Sequence, residues 1–375
     1  MLFPAREMTT PAYLDWNATA PLRPEAAAAM VEALAHTGNP SSVHGAGREA
    51  KRLMERARAQ VAAAVGAAPA NIIFTSGGTE ANHLALHGFP ERRLIVGATE
   101  HASILAAAPQ AAILPVTGGG IADLDALRRL LDADRRPALV SLMLANNETG
   151  VIQPVAEAAR IAHASGALLH CDVVQAFGKI SFNFSELNAD LATLSAHKIG
   201  GPMGVGALVA RADLALRPRQ AGGGQERGRR AGTENLSGIA GFGAATAMAD
   251  TAEFPRIAAL RDEAERRLLE IAPDAHIFGM NVPRLPNTLC IAMPGVAAAT
   301  QIMALDLDGV MVSAGAACSS GKVARSHVLD AMGVPPALTD CAIRISLGWS
   351  TSAAEIARLV EAWCALYTRT RSRAA

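Results

Sequence analysis

The sequence predicts an α/β protein: a mostly parallel, seven-stranded sheet between helices, with a second, smaller α+β domain. Residues 70–210 alternate strand-length apolar runs with helical patterns, as parallel sheets require. Several of the runs are too continuously apolar for a sheet that faces water on one side. From about residue 285 the pattern changes to short strands among helices. A chain of 375 residues has room for two such domains. The expected division is 16–254 for the larger, and 1–15 with 255–375 for the smaller.

In order, 45–65 (GAGREAKRLMERARAQVAAAV) reads as a helix with Arg and Glu on its polar face. The seven expected strands are 71–75 (NIIFT), 93–97 (RLIVG), 111–116 (AAILPV), 138–144 (ALVSLML), 167–171 (ALLHC), 190–195 (DLATLS) and 204–210 (GVGALVA). Helices are expected between them at 79–87, 122–133 and 154–164, with Thr79 as a cap and Pro154 in a first turn, where its missing N–H is tolerated. The Gly- and Arg-rich stretch 218–233 lacks periodicity and reads as a long loop or linker. Residues 234–272 look helical. LPNTLCIAM and VMVSAGAAC read as strands of the second domain, with helices at 299–307, 324–332 and 353–367.

Composition excludes several classes. There are 34 basic and 34 acidic residues, and a net charge of zero argues against a general nucleic-acid binder. No apolar stretch approaches the 18 residues or so of a membrane span. The first residues lack the pattern of a signal peptide, so a cytoplasmic protein is expected. Five widely spaced cysteines without C-x-x-C support neither a disulfide framework nor a structural zinc site.

Open parallel sheets bind ligands at the carboxyl ends of their strands, and here those ends are chemically rich. NIIFT is followed by Ser76-Gly77-Gly78-Thr79-Glu80, whose glycines and helix-opening amides suit a phosphate. RLIVG leads to Thr99-Glu100-His101, and ALVSLML to Asn146-Asn147-Glu148-Thr149-Gly150. ALLHC leads to Asp172 and Gln175, and DLATLS ends in Ser195-Ala196-His197-Lys198. Only four lysines occur. Lys198 follows a buried strand and can form a Schiff base with an aldehyde cofactor, its pKa lowered by partial burial. Lys51 sits on a polar helix face; Lys179 and Lys322 sit in loop-like contexts. Asp172 can pair with a pyridine nitrogen, and His101 can stack on the ring. These are the parts of a pyridoxal phosphate site. Cys318, on a run of small residues, is either a reactive thiol on a loop or a small buried apolar residue. Arg344, within an apolar strand, needs an anionic partner: a substrate carboxylate or an internal acid.

The ordered motifs resemble the pyridoxal phosphate-dependent cysteine desulfurases of the NifS/IscS type, in the class V aminotransferase group. They run from Tyr13-Leu14-Asp15 through Gly38-Asn39-Pro40-Ser41-Ser42 with His44, Phe74 to Asn82, Thr99-Glu100-His101, Asn146 to Gly150, His170-Cys171-Asp172 with Gln175, Ser195 to Lys198, Gly222 to Asn235, and the Cys318 loop with Ser326-His327-Val328-Leu329. The resemblance implies the type I fold of pyridoxal phosphate-dependent transferases. It implies that Lys198 holds the cofactor covalently, that His101 stacks on it and moves protons, that Asp172 meets the pyridine nitrogen and that Gln175 meets the ring oxygen. Gly78, Thr79, Ser195 and His197 would hold the phosphate, with Thr233 reaching in across a homodimer. Asn147 would face both cofactor and substrate, and Asn39 and Arg344 the substrate. Cys318 would take the sulfur of L-cysteine as a persulfide and pass it to an acceptor or an iron–sulfur scaffold, where it can transiently ligate a cluster; no catalytic metal is implied. Met203, Ala316, Arg325 and Trp349 depart from the family pattern at positions that bear on partner recognition and loop behaviour. The few residues after 353–367 imply at most a short docking tail. The rivals are a selenocysteine lyase, another class V aminotransferase and a non-catalytic sulfur-relay scaffold. Product analysis separates the first two, and absence of a cofactor band would mark the last.

Overall fold

The computed structural model describes residues 11–317 and 323–374. β1 (Ala12–Tyr13), α1 (Pro24–Leu34) and α2 (Gly45–Ala64) come first. The next stretch supplies β2 (Ile72–Thr75), α3 (Gly78–His87), β3 (Arg93–Gly97), α4 (Ala102–Leu105), β4 (Ala112–Leu114), α5 (Leu124–Ala133) and β5 (Ala138–Ser141). It continues with α6 (Val155–Ala164), β6 (Leu168–Asp172), β7 (Leu191–Ser195) and β8 (Gly206–Ala210). Strands β2 to β8 form one sheet in the order β2-β8-β7-β6-β5-β3-β4. β8 runs antiparallel to β2 and β7, and the other pairs are parallel. All seven apolar runs thus contribute a strand to the expected sheet. Every residue of β5, β6, β7 and β8 is buried, because the sheet is covered on both faces. Ile72, Phe74, Val140 and Val209 enter one core with Met54, Val61, Leu127 and Phe242. Their strand neighbours Ile73, Leu139 and Leu208 enter the other with Leu84 and Ile104. The two-residue side-chain period of a strand produces this division.

The remaining elements are α7 (Leu236–Ala247), α8 (Phe254–Ile271), β9 (His276–Ile277), β10 (Thr288–Ala292), α9 (Ala298–Leu307), β11 (Val310–Met311), β12 (Ser313–Ala314), β13 (Ala316–Ala317), β14 (Val323–Ala324), α10 (His327–Ala331), α11 (Pro336–Thr339), β15 (Ala342–Ser346) and α12 (Ala353–Ala374). An antiparallel sheet in the order β12-β15-β10-β9 is joined by the parallel pair β1–β11. Its core gathers Leu14 and Phe254 with Leu289, Ile343, Leu359 and Trp363.

Local details differ from the sequence pattern for physical reasons. The helix expected over 234–272 is two helices, and α8 restarts with Pro255 in its first turn, where a missing N–H costs nothing. Gly77, not Thr79, precedes α3, and Glu80 Oε2 reaches back to accept from Ser76 N at 2.7 Å. Pro154 is the residue before α6 rather than inside it. VMVSAGAAC divides among β11, β12 and β13, which lie in three different sheets. α1 is alanine-rich and carries too weak a pattern to stand out in the sequence.

The Gly- and Arg-rich segment is an ordered loop. Glu226 and Arg227 adopt left-handed backbone angles (φ 46° and 59°) that are unfavourable for residues other than glycine. The buried pair Glu226–Arg58 compensates: Arg58 Nη1 and Nη2 each donate to Glu226 at 2.8 Å, and Phe74 N donates to Glu226 Oε2 at 2.9 Å. Replacing Glu226 by Gln removes the buried carboxylate from Arg58, which keeps the half-exposed Glu55 at 3.1 Å. Chemical unfolding should report a loss approaching the ~3–5 kcal/mol typical of a broken buried pair.

Candidate active site

The sheet delivers its strand ends to one place. Asp172 closes β6, and Ser195 closes β7 just before His197 and Lys198. Gly78 and Thr79 open α3 after β2, and His101 follows β3. With Asn147 beyond β5, all of these line a cavity of about 370 Å³. Asp15, Asn17, Ser313, Gly315 and Arg344 close it from the other side. The cavity therefore sits between the large sheet and the smaller one.

Each polar side chain is held from behind. Asp172 is 7% exposed; its Oδ2 accepts from Asn82 Nδ2 and its Oδ1 from Val174 N, both at 2.9 Å. His101 faces the cavity, with Nδ1 2.8 Å from Ser103 Oγ and accepting from Ser103 N. Desolvation pushes its pKa below the ordinary value, Asp172 opposes this, and Lys198 and His327 add to it. His197 is pushed down to about 4 by burial and by its lysine neighbours, so it is neutral at physiological pH. Glu100, fully buried behind His101, is pushed up to about 8 by burial and by Asp172. Lys198 Nζ donates to the carbonyl oxygens of Asn17 and Ala18 at 2.6 and 2.8 Å. Burial, then Arg344, lowers its pKa to about 8, while Asp15 and Asp172 pull the other way.

Arg344 meets one of the two partners that the sequence leaves open, an internal acid, and still faces the cavity. Its Nη2 donates to Asp15 Oδ1 at 2.6 Å and its Nη1 to Asn147 O at 3.2 Å. Its buried Nε has no partner among the described residues, so the guanidinium is only partly satisfied and lines the cavity.

Gly78, Thr79, His101, Asn147, Asp172, Gln175, Ser195, His197, Lys198 and Arg344 meet in the cavity. Asn39 and Thr233 are not among the residues that line it in a single chain. Asn39 is exposed and caps its own turn by accepting from Ser41 N. Thr233 lines a separate hollow with Ser76, Glu226 and Arg230. Cys318 lies outside the described residues. Cys171, Cys290 and Cys341 are buried, and burial raises the thiol pKa of Cys171 and Cys290, which suits inert core thiols. Sequence reasoning missed Asn17, gave Asn82 no role beyond its motif, and missed the placement of Lys179, which is buried behind Gln175 rather than in an open loop. The available signal was the scarcity of lysine; nothing local marks Asn17.

This constellation defines a class: a sheet-edge lysine and carboxylate facing one cavity, with a helix amino terminus alongside, as in enzymes that bind pyridoxal phosphate through a lysine. Residues 12–359 match the aminotransferase class-V family, and the chain belongs to it. A cysteine desulfurase from Cereibacter sphaeroides is 46% identical over 364 residues, covering 93% of this chain and 94% of that protein. Cysteine desulfurase IscS of Dictyoglomus turgidum is 40% identical over 357 residues, covering 91% and 90%. The crystal structure of a NifS-like protein from Rickettsia africae superposes with a TM-score of 0.90 at 37% identity, covering 96% and 99%. The family is pyridoxal phosphate-dependent, and the residues present fit that group. The cavity has the size of a small-ligand pocket. A Cβ on Gly78 would lie 3.2 Å from Val174 Cγ2, a tight contact, so glycine keeps the helix amino terminus beside the cavity uncrowded.

In the apoprotein, acylation of Lys198 followed by mass spectrometry should be half-maximal near pH 8, not near the ordinary 10.5. The neutral amine is the reactive form, so the rate rises as pH climbs through that value.

Proposed function

We propose that the protein is a cysteine desulfurase that converts L-cysteine to L-alanine and takes the sulfur onto Cys318. The observation that carries this reading is that Lys198 and the Asp172 carboxylate stand at neighbouring strand ends and line one cavity. Lys198 would hold pyridoxal phosphate, Asp172 would face its ring nitrogen, Gln175 its ring oxygen and His101 its ring. Gly78, Thr79, Ser195 and His197 would hold its phosphate. The bound cofactor supplies an electron-withdrawing ring that makes the substrate's Cα proton removable.

The chain's own groups do the rest. Lys198, with its amine near pKa 8, is the base for the Cα proton. Arg344 and Asn147 orient the substrate carboxylate, with Asn39 alongside. His101, with its lowered pKa, passes protons within the cavity. Cys318 Sγ forms an S–S bond to the substrate sulfur as the S–Cβ bond breaks. Proton return to the carbon skeleton completes alanine, so L-cysteine and one thiol become L-alanine and one persulfide.

The reading extends to the assembly, the partner and the setting. A homodimer supplies Thr233 to the phosphate across the interface, consistent with its position away from the cavity of its own chain. The persulfide passes to an acceptor protein, such as an iron–sulfur scaffold, in a reducing cytoplasmic setting. The chain divides into 16–254 and the pair 1–15 and 255–375. No helix among the described residues is long and apolar enough to cross a membrane.

Purified protein with pyridoxal phosphate should show a visible cofactor band and, given L-cysteine and a thiol reductant, release equal amounts of alanine and sulfide. Consumption of a keto acid without sulfide would refute the reading. Cys318→Ala should keep the band and lose sulfide release; sustained turnover would remove the role given to that thiol. Arg344→Met should raise the KM for L-cysteine by about 10- to 100-fold, the worth of a charge-assisted contact, with a smaller change in kcat.

A further inference from the structure

Lys179 is 5% exposed, an unusual state for a lysine. Among the described residues it has no acidic hydrogen-bond partner. Its Nζ contacts two amide oxygens, Asn17 Oδ1 at 2.9 Å and Gln175 Oε1 at 2.6 Å. Burial, with Lys198 and Arg344 nearby, drives its pKa well below the ordinary value. The arrangement does not depend on its charge, because a neutral amine still has two N–H groups for two acceptors.

Independent contacts decide which way both amides point. Gln175 Nε2 donates to Asn17 O at 3.0 Å. Asn17 Nδ2 donates to Asn147 O at 3.2 Å and to Thr288 Oγ1 at 2.9 Å. A backbone carbonyl only accepts, so each nitrogen faces its carbonyl; Gln175 Oε1 is left to Lys179, and Asn17 Oδ1 to Lys179 together with Asn287 Nδ2 at 3.1 Å. Gln175 lines the cavity; one of its N–H groups goes to Asn17 O, and the other is the donor that remains for a ligand oxygen. Asn17, with its side chain clamped, offers the same backbone oxygen to Lys198 Nζ at 2.6 Å.

We infer that Lys179 is a positioning residue of the cofactor site: by donating to Asn17 Oδ1 and Gln175 Oε1 it presents Gln175 as a hydrogen-bond donor toward an oxygen of the bound ring and holds the carbonyl on which Lys198 rests. This rests on the pyridoxal phosphate reading above. Lys179 touches neither cofactor nor substrate in this role. It acts through Gln175 and Asn17.

The test titrates full-length apoprotein with pyridoxal phosphate for wild type, Lys179→Met, Gln175→Met and the double variant. It records the dissociation constant, the pH dependence of the visible band and the melting temperature. Lys179→Met should weaken cofactor binding by about tenfold, the worth of one hydrogen bond, and shift the pH transition of the band. In the Gln175→Met background the same substitution should have much less effect, because coupled residues are not additive. Lys179→Gln, which keeps two N–H donors, should restore most of the affinity. Unchanged affinity and band in Lys179→Met, or full additivity with Gln175→Met, would overturn the inference. If Lys179→Met does not fold, Gln175→Glu serves instead. It keeps an acceptor for Lys179 but loses the donors to Asn17 O and to the ligand, so cofactor affinity should fall; unaltered affinity would overturn the inference. Wild type separates the two levels: a normal wild-type band with an unaltered variant defeats this inference alone, whereas a wild type that binds no cofactor defeats the functional reading as well.

Discussion

A largely desolvated amine, held by backbone carbonyls rather than by a carboxylate, is the constraint on which the site depends. Lys198 donates to Asn17 O and Ala18 O, and neither contact neutralises a charge. A lysine with a close carboxylate would keep its proton to high pH. Partial desolvation and the guanidinium of Arg344 instead bring the amine to about 8, where it can exchange protons near neutrality. The acids nearby are spent elsewhere: Asp172 on Asn82 and Val174, Asp15 on Arg344.

That constraint makes Asn17 the joint of the molecule. It follows β1, which belongs with the smaller sheet, yet its carbonyl receives Lys198 and Gln175 from the larger one. Its own N–H donates to Ser346 Oγ, and its side chain binds Thr288, Asn287 and Lys179. Arg344 crosses the same boundary through Asp15 and Asn147 O. The cavity is thus closed by hydrogen bonds that run between the two sheets, and its geometry is set by how those sheets meet.

Two buried carboxyl groups show how this frame is tuned. Glu100 sits behind His101 with its pKa raised to about 8, which limits the negative charge beneath Asp172. Glu148, also raised by burial, accepts from Ser326 Oγ at 2.5 Å. Gly315 has no side chain because a Cβ there would lie 2.1 Å from Glu148 Oε2. The segment before Cys318 and the residue that opens α10 are therefore both fitted against the turn that carries Asn147.

The sequence by itself determined the sheet, because strands buried on both faces must be continuously apolar. It also determined the polar groups at the sheet's carboxyl edge, because a βα connection places whatever follows a strand there. His101, Asp172, Ser195, His197 and Lys198 were legible for that reason. Only the tertiary structure decided what those groups touch. Asn17 and Lys179 carry no local signature, and Arg344 could have met either an internal acid or a ligand. Their side-chain partners lie 130 to 329 residues away along the chain, except for the one-turn contact of Lys179 with Gln175. A hydrogen bond over such a separation depends on how two sheets pack, which periodicity along the chain does not encode.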